Sequence, residues 1–247
     1  MFQPFDDGRK HGTWGLICVS ACAALAGCDS GLSTLAPAGP AAGWIANLWW
    51  AMLAGAALLT GLVWMLVVIG FRQPGQRQPS TRFWALGMGV AMPLAVLTVL
   101  VGAGLWIGER MQPRPSSAVV AVRAEARQWA WSFEQPGSDG EPVRTENVLY
   151  IPAGRPVDVQ ITSRDVLHSF WVPRLGGKMD AVPGHPNVLR IQADAPGRYQ
   201  GKSAEFSGVG YSTMDFTVVA YAPDQVPDLR AQGQAANRQQ KDSNERE

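Results

Sequence analysis

Two uninterrupted apolar stretches constrain this chain more than anything else in it. Residues 44–71 and residues 83–108 contain no charged side chain. A helix needs about 20 residues to cross the ~30 Å hydrocarbon core, so each stretch can span a membrane with some tilt. Pro93 falls inside the second stretch and is tolerable there if a neighbouring helix satisfies the carbonyl it frees. The loop between them, residues 72–82 (RQPGQRQPSTR), holds three arginines and no acid. Short basic loops stay in the cytoplasm, so the spacing predicts a helical hairpin whose open end faces outwards. Gly55, Gly61, Gly87, Gly89, Gly102 and Gly104 favour close packing against other helices. With no ionisable residue inside either stretch, the pair reads as a docking surface rather than a conduction path.

The N-terminus agrees with export. Arg9, Lys10 and His11 precede the apolar run 14–25, which ends in Leu25-Ala26-Gly27-Cys28. That is a basic segment, an apolar run too short to span, and a small-residue cleavage site. Residues 1–27 are predicted to be a signal peptide and residues 28–43 a flexible spacer. Leu-Ala-Gly-Cys also matches the bacterial pattern in which the cysteine is lipidated and becomes the mature N-terminus. Lipidation at Cys28 is therefore expected, the plainer alternative being a cleaved signal with an accidental cysteine. Beside two spanning helices such an anchor tethers rather than inserts. Cys18, Cys22 and Cys28 are the only cysteines, so the folded C-terminal part has neither disulfide nor thiolate.

Residues 109–117 read as a linker, and the sequence beyond changes character. Val120, Val122, Ala124 and Ala126 alternate with Arg123, Glu125 and Arg127. Val157, Val159 and Ile161 alternate with Asp158, Gln160 and Thr162, and Leu189 and Ile191 with Arg190 and Gln192. Short period-two runs between glycine and proline turns predict an all-β sandwich over residues 118–222. Trp129, Trp131 and Phe133 put apolar residues on odd positions, which predicts a bulge or bend near Arg127–Gln128. Residues 223–247 are expected to be a disordered tail. The fold class is thus a membrane-anchored α+β chain, two transmembrane helices followed by an exported all-β sandwich. A net charge of +1 without a basic block gives no reason to expect nucleic acid as a partner.

Three motifs then occur in order: Arg127-Gln128-Trp129-Ala130-Trp131-Ser132-Phe133, Asp165-Val166-Leu167-His168-Ser169-Phe170-Trp171, and Gly177-Lys178-Met179-Asp180-Ala181. Behind two membrane helices, this series resembles subunit II of the haem–copper respiratory oxidases over about residues 28–222. The resemblance implies a periplasmic cupredoxin domain seated on subunit I of a proton-pumping oxidase in a bacterial inner membrane. Subunits III and IV and membrane lipid would be its other partners, and the haems and copper would belong to subunit I. In cytochrome c-oxidising members, subunit II carries a dinuclear copper centre in a Cys-x-Glu-x-Cys-x-x-x-His-x-x-Met loop, with a further histidine upstream. Carried over, the upstream histidine is His168, the methionine Met214 and the glutamate Glu205. The cysteine positions hold Ser203 and Ser207, and the loop histidine position holds Tyr211.

Soft thiolates hold and couple such a copper pair, and a neutral serine hydroxyl cannot replace them. The expectation is no copper in this subunit, no catalytic residue in it, and a role in a ubiquinol oxidase, where quinol is oxidised at subunit I. Asp165, His168 and Trp171 keep the cytochrome c-oxidase form of their motif. Two alternatives therefore stand: a cytochrome c oxidase subunit that has lost its copper, and a membrane-anchored cupredoxin-like assembly or binding protein. His168 is expected as a hydrogen-bonded loop histidine and Met214 as core. Trp129, Trp131 and Asp180 are expected at the interface with subunit I. Glu205 is read either as a ligand of an interfacial magnesium-type ion or as a structural acid.

Overall fold

The computed structural model describes residues 31–72, 80–114, 119–137 and 139–230. Residues 1–30, with the signal peptide and Cys28, lie outside them, as do most of the basic loop and residues 231–247.

Both apolar stretches are helical and longer than expected. Helix α1 is Pro40–Arg72, four residues earlier at its start than the apolar run. The second begins as a π-helix, Phe83–Ala91, and continues as the α-helix α2, Met92–Met111. The change of register falls beside Pro93. The Met92 N–H still bonds the Gly87 carbonyl, five residues back, and the proline that follows has no N–H to contribute. Both helices are long and apolar enough to cross a membrane.

Among the described residues ten strands form the sandwich: β1 Val120–Arg127, β2 Ala130–Pro136, β3 Pro142–Glu146, β4 Val148–Pro152, β5 Val157–Ser163, β6 His168–Trp171, β7 Lys178–Ala181, β8 Asn187–Ile191, β9 Gly197–Ser203 and β10 Asp215–Tyr221. One sheet has the order β3-β2-β1-β5-β8 and the other β4-β10-β9-β6-β7. The alternation in β1, β5 and β8 points its apolar parity inwards in each case. The phase change after Arg127 is not a bulge. Arg127 pairs with Ala130 across a two-residue hairpin turn, so Ala126 stands opposite Trp131 and Ala124 opposite Phe133, all facing the core.

An aromatic cluster joins the sheets. Trp131 and Phe133 come from β2, Phe170 from β6 and Phe216 from β10, and all four rings are buried. Trp131 lies edge-on to Phe170 at 5.6 Å, and Phe170 stacks on Phe216 at 4.7 Å. Gly201 stands opposite Phe216 in the β9–β10 ladder, and its missing side chain leaves room for that ring. Asn147, at φ 55°, carries the chain from one sheet to the other. Its side-chain oxygen accepts the Trp131 N–H at 2.8 Å, and its carbonyl accepts the Thr217 N–H at 2.9 Å.

The predicted spacer and tail are both corrected by what holds them. The Ala38 N–H donates to the Arg174 carbonyl at 2.7 Å, and the Ala38 carbonyl accepts from Asp194 at 2.9 Å. Arg174 Nε donates to the Ala36 carbonyl at 2.8 Å. Gly39 is required here, since a Cβ would meet the Gln192 carbonyl oxygen at 2.1 Å. The residues entering α1 are thus fastened to the sandwich. At the other end Leu229 is buried and Arg230 pairs with Asp139 at 2.8 Å, so the predicted tail is docked at these two residues.

Gly201→Ala would drive a methyl to within 2.3 Å of the Phe216 ring. Overpacking of this kind costs about 1–3 kcal/mol. A lower denaturant midpoint for the β-sheet circular dichroism of the full chain in detergent is the expected result.

Candidate functional site

The loop between β9 and β10, residues 204–214, is built over the end of the sandwich that carries the β1–β2 turn. Its base is closed by the Ser203 N–H, which donates to the Met214 carbonyl at 3.0 Å. The Ala204 N–H donates to the Ser169 carbonyl of β6, also at 3.0 Å. Its middle rests on two side chains of the β1–β2 turn. Gln128 Nε2 and Trp129 Nε1 both donate to the Ser207 carbonyl, at 2.7 and 3.2 Å. Gly210 lies against the Trp129 indole so closely that a Cβ would come within 2.4 Å of it. Gly208, at φ 109°, makes the turn that precedes it. A single 3₁₀ turn, Val209–Thr213, then returns the chain to β10.

Asp165 fastens this assembly from the other side. Its Oδ2 accepts the backbone N–H of Gln128 at 2.7 Å, and its Oδ1 accepts the Val166 N–H at 2.7 Å. Oδ1 also meets His168 Nε2 at 2.9 Å. Burial acts to raise the Asp165 pKa, but the Gln128 N–H, the His168 ring and the Val166 N–H outweigh it and bring it down to about 2. The carboxylate is therefore ionised and accepts, so His168 Nε2 carries a proton. In a neutral ring the lone pair then sits on Nδ1, which is buried and has no partner among the described residues.

His168 opens strand β6 and is fully buried, rather than lying in a loop as expected. Met214 is core. Ser203 and Ser207 are buried; Ser203 Oγ accepts the Ser169 N–H at 3.5 Å, whereas Ser207 Oγ has no partner among the described residues. Tyr211 is half-buried with its ring edge-on to Phe206 at 5.1 Å. Of the two tryptophans expected at a partner interface, only Trp129 is available. Trp131 is 0 % exposed, because the hairpin turns its parity into the core. Val166, Leu167, Phe206 and Val209 accompany Trp129 as exposed apolar side chains at this end.

Glu205 lies in the β9–β10 loop and Asp180 on β7, with Lys178 of β7 between them. Lys178 Nζ stands 3.5 Å from Glu205 and 4.0 Å from Asp180. Asp180 pairs in register with Ser169, and its carbonyl accepts from Asn187 Nδ2 at 2.8 Å. Among the described residues no three His, Cys, Asp or Glu side chains are grouped closely enough to hold a metal ion. Sequence reasoning passed over Gln128 and Asn147, whose contacts are all long-range. The i, i+3 spacing of Asp165 and His168 was the available signal for their pairing.

Helical hairpin, two-sheet sandwich and elaborated β9–β10 loop together define a membrane-anchored protein with an exported β domain. The family model for the cytochrome c oxidase subunit II periplasmic domain matches residues 136–221. The quinol oxidase subunit 2 of Bacillus cereus is 31% identical over 79% of this chain and 71% of its own length. The cytochrome c oxidase subunit 2 of Alkalihalophilus pseudofirmus is 29% identical over 81% of this chain, which spans 62% of that relative's length. The ubiquinol oxidase subunit 2 of Acetobacter aceti is 33% identical over 58% of this chain and 45% of its own. Among solved structures, the periplasmic domain of cytochrome oxidase subunit II of Bradyrhizobium japonicum covers 51% of the chain at 22% identity, with a TM-score of 0.42. The chain belongs to the subunit II family of the haem–copper oxidases, a family that includes both quinol and cytochrome c types.

The Asp165 contacts carry a pH dependence. A depressed carboxylate pKa contributes stability that is complete above the ordinary value of about 3.9 and is lost as pH falls through the folded value. The loss is expected between about pH 4 and 2. Asp165→Asn should lower the melting temperature at neutral pH and flatten the profile across that window, measured on the full chain in detergent by circular dichroism.

Proposed function

We propose that this chain is subunit II of a quinol-oxidising terminal oxidase of a bacterial inner membrane, holding subunit I and covering its exported face without a metal centre of its own. The observation that carries this reading is the donor set at the family's copper positions. Ser203 and Ser207 supply neutral hydroxyls, and the Tyr211 phenol packs against Phe206. His168 and Met214 leave one imidazole and one thioether, both buried. Such donors do not fit a copper pair bridged by thiolates, and two soft ligands are too few for a tight single-copper site. No electron step is therefore assigned to this subunit.

What the chain's own residues do in this reading is mechanical. The two helices supply apolar faces for subunit I, with subunits III and IV as further neighbours. The residues fastened between Arg174 and α1 hold the exported domain to its anchor. Trp129, Val166, Leu167, Phe206 and Val209 give the sandwich an apolar end to set on a partner. Quinol would be oxidised in subunit I, whose haems and copper receive the electrons directly. Lipidation at Cys28 would add a second tether.

A second reading keeps the cytochrome c oxidase class, favoured by the Alkalihalophilus relative and by the Asp165–His168 pair. The two separate in the assay. The purified complex is expected to oxidise ubiquinol and to lack the near-infrared absorption of a dinuclear copper. That band, or turnover with cytochrome c and none with quinol, would reject the proposal.

Glu205 is assigned as an oxygen ligand to a magnesium-type ion shared with subunit I, with the Lys178 ammonium nearby balancing its charge in the isolated chain. Glu205→Gln is expected to weaken binding of manganese, used as the paramagnetic substitute, in the assembled complex. An unchanged electron paramagnetic resonance titration would leave Glu205 a structural acid.

A further inference from the structure

The outer ends of the two membrane helices carry a feature that the oxidase reading does not use. Trp44 of α1 and Trp106 of α2 meet edge-to-face at 5.3 Å. The guanidinium of Arg110 lies 3.9 Å from the Trp106 ring centroid and 5.2 Å from that of Trp44. Pro40, Ala41, Met111 and Gln192 close a cleft of about 100 Å³ beside it.

Three arginines gather at this corner, and two are satisfied. Arg114 pairs with Glu109 at 3.0 Å. Arg190 is held by both oxygens of Asp158, at 2.7 and 2.8 Å, and donates to the Arg114 carbonyl at 2.8 Å. Among the described residues Arg110 has no carboxylate partner. A guanidinium whose carbon lies over an indole ring still has N–H groups to offer as a fork, which matches two oxygens of a phosphate. The negative end of the α2 dipole also attracts this cation, but that attraction needs no indole beside it.

Depth selects the source of the phosphate. Arg110 follows the last apolar residue of the spanning stretch, Gly108, by two positions, or about 3 Å of helix rise. Tryptophan collects at that level, between hydrocarbon and water. We propose that Arg110, held by Trp106 and Trp44, binds the phosphodiester of an anionic glycerophospholipid in the outer half of the membrane. The acyl chains would lie along the apolar faces of α1 and α2, and the headgroup would reach the cleft under the sandwich. The lipid then sits where the hairpin meets the exported domain.

The test is native mass spectrometry of the purified oxidase complex, titrated with phosphatidylglycerol or with phosphatidylcholine of the same chains. Wild type is expected to retain phosphatidylglycerol preferentially, and Arg110→Gln to weaken that retention about tenfold, the scale of a lost charge-assisted contact. Arg123→Gln, on β1 and two strands from β8 in the same sheet, where it pairs with Glu134, is expected to leave it unchanged. Equal retention of the two lipids by wild type, or equal retention by wild type and Arg110→Gln, overturns the proposal. Displacement by millimolar inorganic phosphate would assign the site to a free anion and overturn it as well. If Arg110→Gln does not assemble, Trp106→Leu keeps the charge and removes its platform. A severalfold loss is then expected, and unchanged retention rejects the site.

Discussion

The four aromatic rings of Trp131, Phe133, Phe170 and Phe216 are the contact on which the rest of the exported domain depends. They come from both sheets, all are buried, and neighbouring centroids lie 4.7–6.4 Å apart. Burying a ring of this kind removes far more apolar surface from water than any aliphatic residue here, and the edge-to-face pairs add to it. Glycine at 201 and the positive φ of Asn147 are both concessions to these rings. One leaves space for Phe216, and the other turns the chain so that its side chain can bond the Trp131 backbone. The β1–β2 turn, fixed by the inward parity of Trp131, then presents Gln128 and Trp129 to the β9–β10 loop.

That loop is held by polar contacts and by the packing of Gly210 on the Trp129 indole. Gln128 and Trp129 grip the Ser207 carbonyl, Asp165 grips Gln128, and the same carboxylate orients His168. Among the described residues five buried side-chain atoms have no hydrogen-bond partner, Trp131 Nε1, His168 Nδ1, Ser169 Oγ, Asp180 Oδ1 and Ser207 Oγ, so His168 and Ser207 are not singled out by this.

Much of this was legible in the residues. The spanning stretches, the outward orientation and the alternating strands follow from periods and charges that act within a few residues of one another. The family was legible for a different reason, since three motifs in order leave few alternatives. The phase change was read as a bulge or bend because either reverses the parity of a strand, and only the pairing of Arg127 with Ala130 shows that it is a hairpin turn. Trp131 was expected at the interface with subunit I from the family resemblance, whereas its parity in β2 turns it into the core. The segment before α1 was read as slack because glycine, serine and proline are its visible content. Its partners, Arg174, Gln192 and Asp194, lie more than a hundred residues away.

The sequence by itself determined which parts of the chain enter lipid and which enter water, since hydropathy and charge decide that locally. It also determined the chemistry available at the loop, since no fold can make a thiolate of a serine. Tertiary structure alone decided which tryptophan is core and which is exposed, and that one carboxylate, Asp165, clamps two loops. It also decided that Arg110 is left over beside two indoles once the other arginines at that corner have found their acids. Long-range contacts settle each of these. The free energy that selects among them is shared by residues brought together only when the two sheets close.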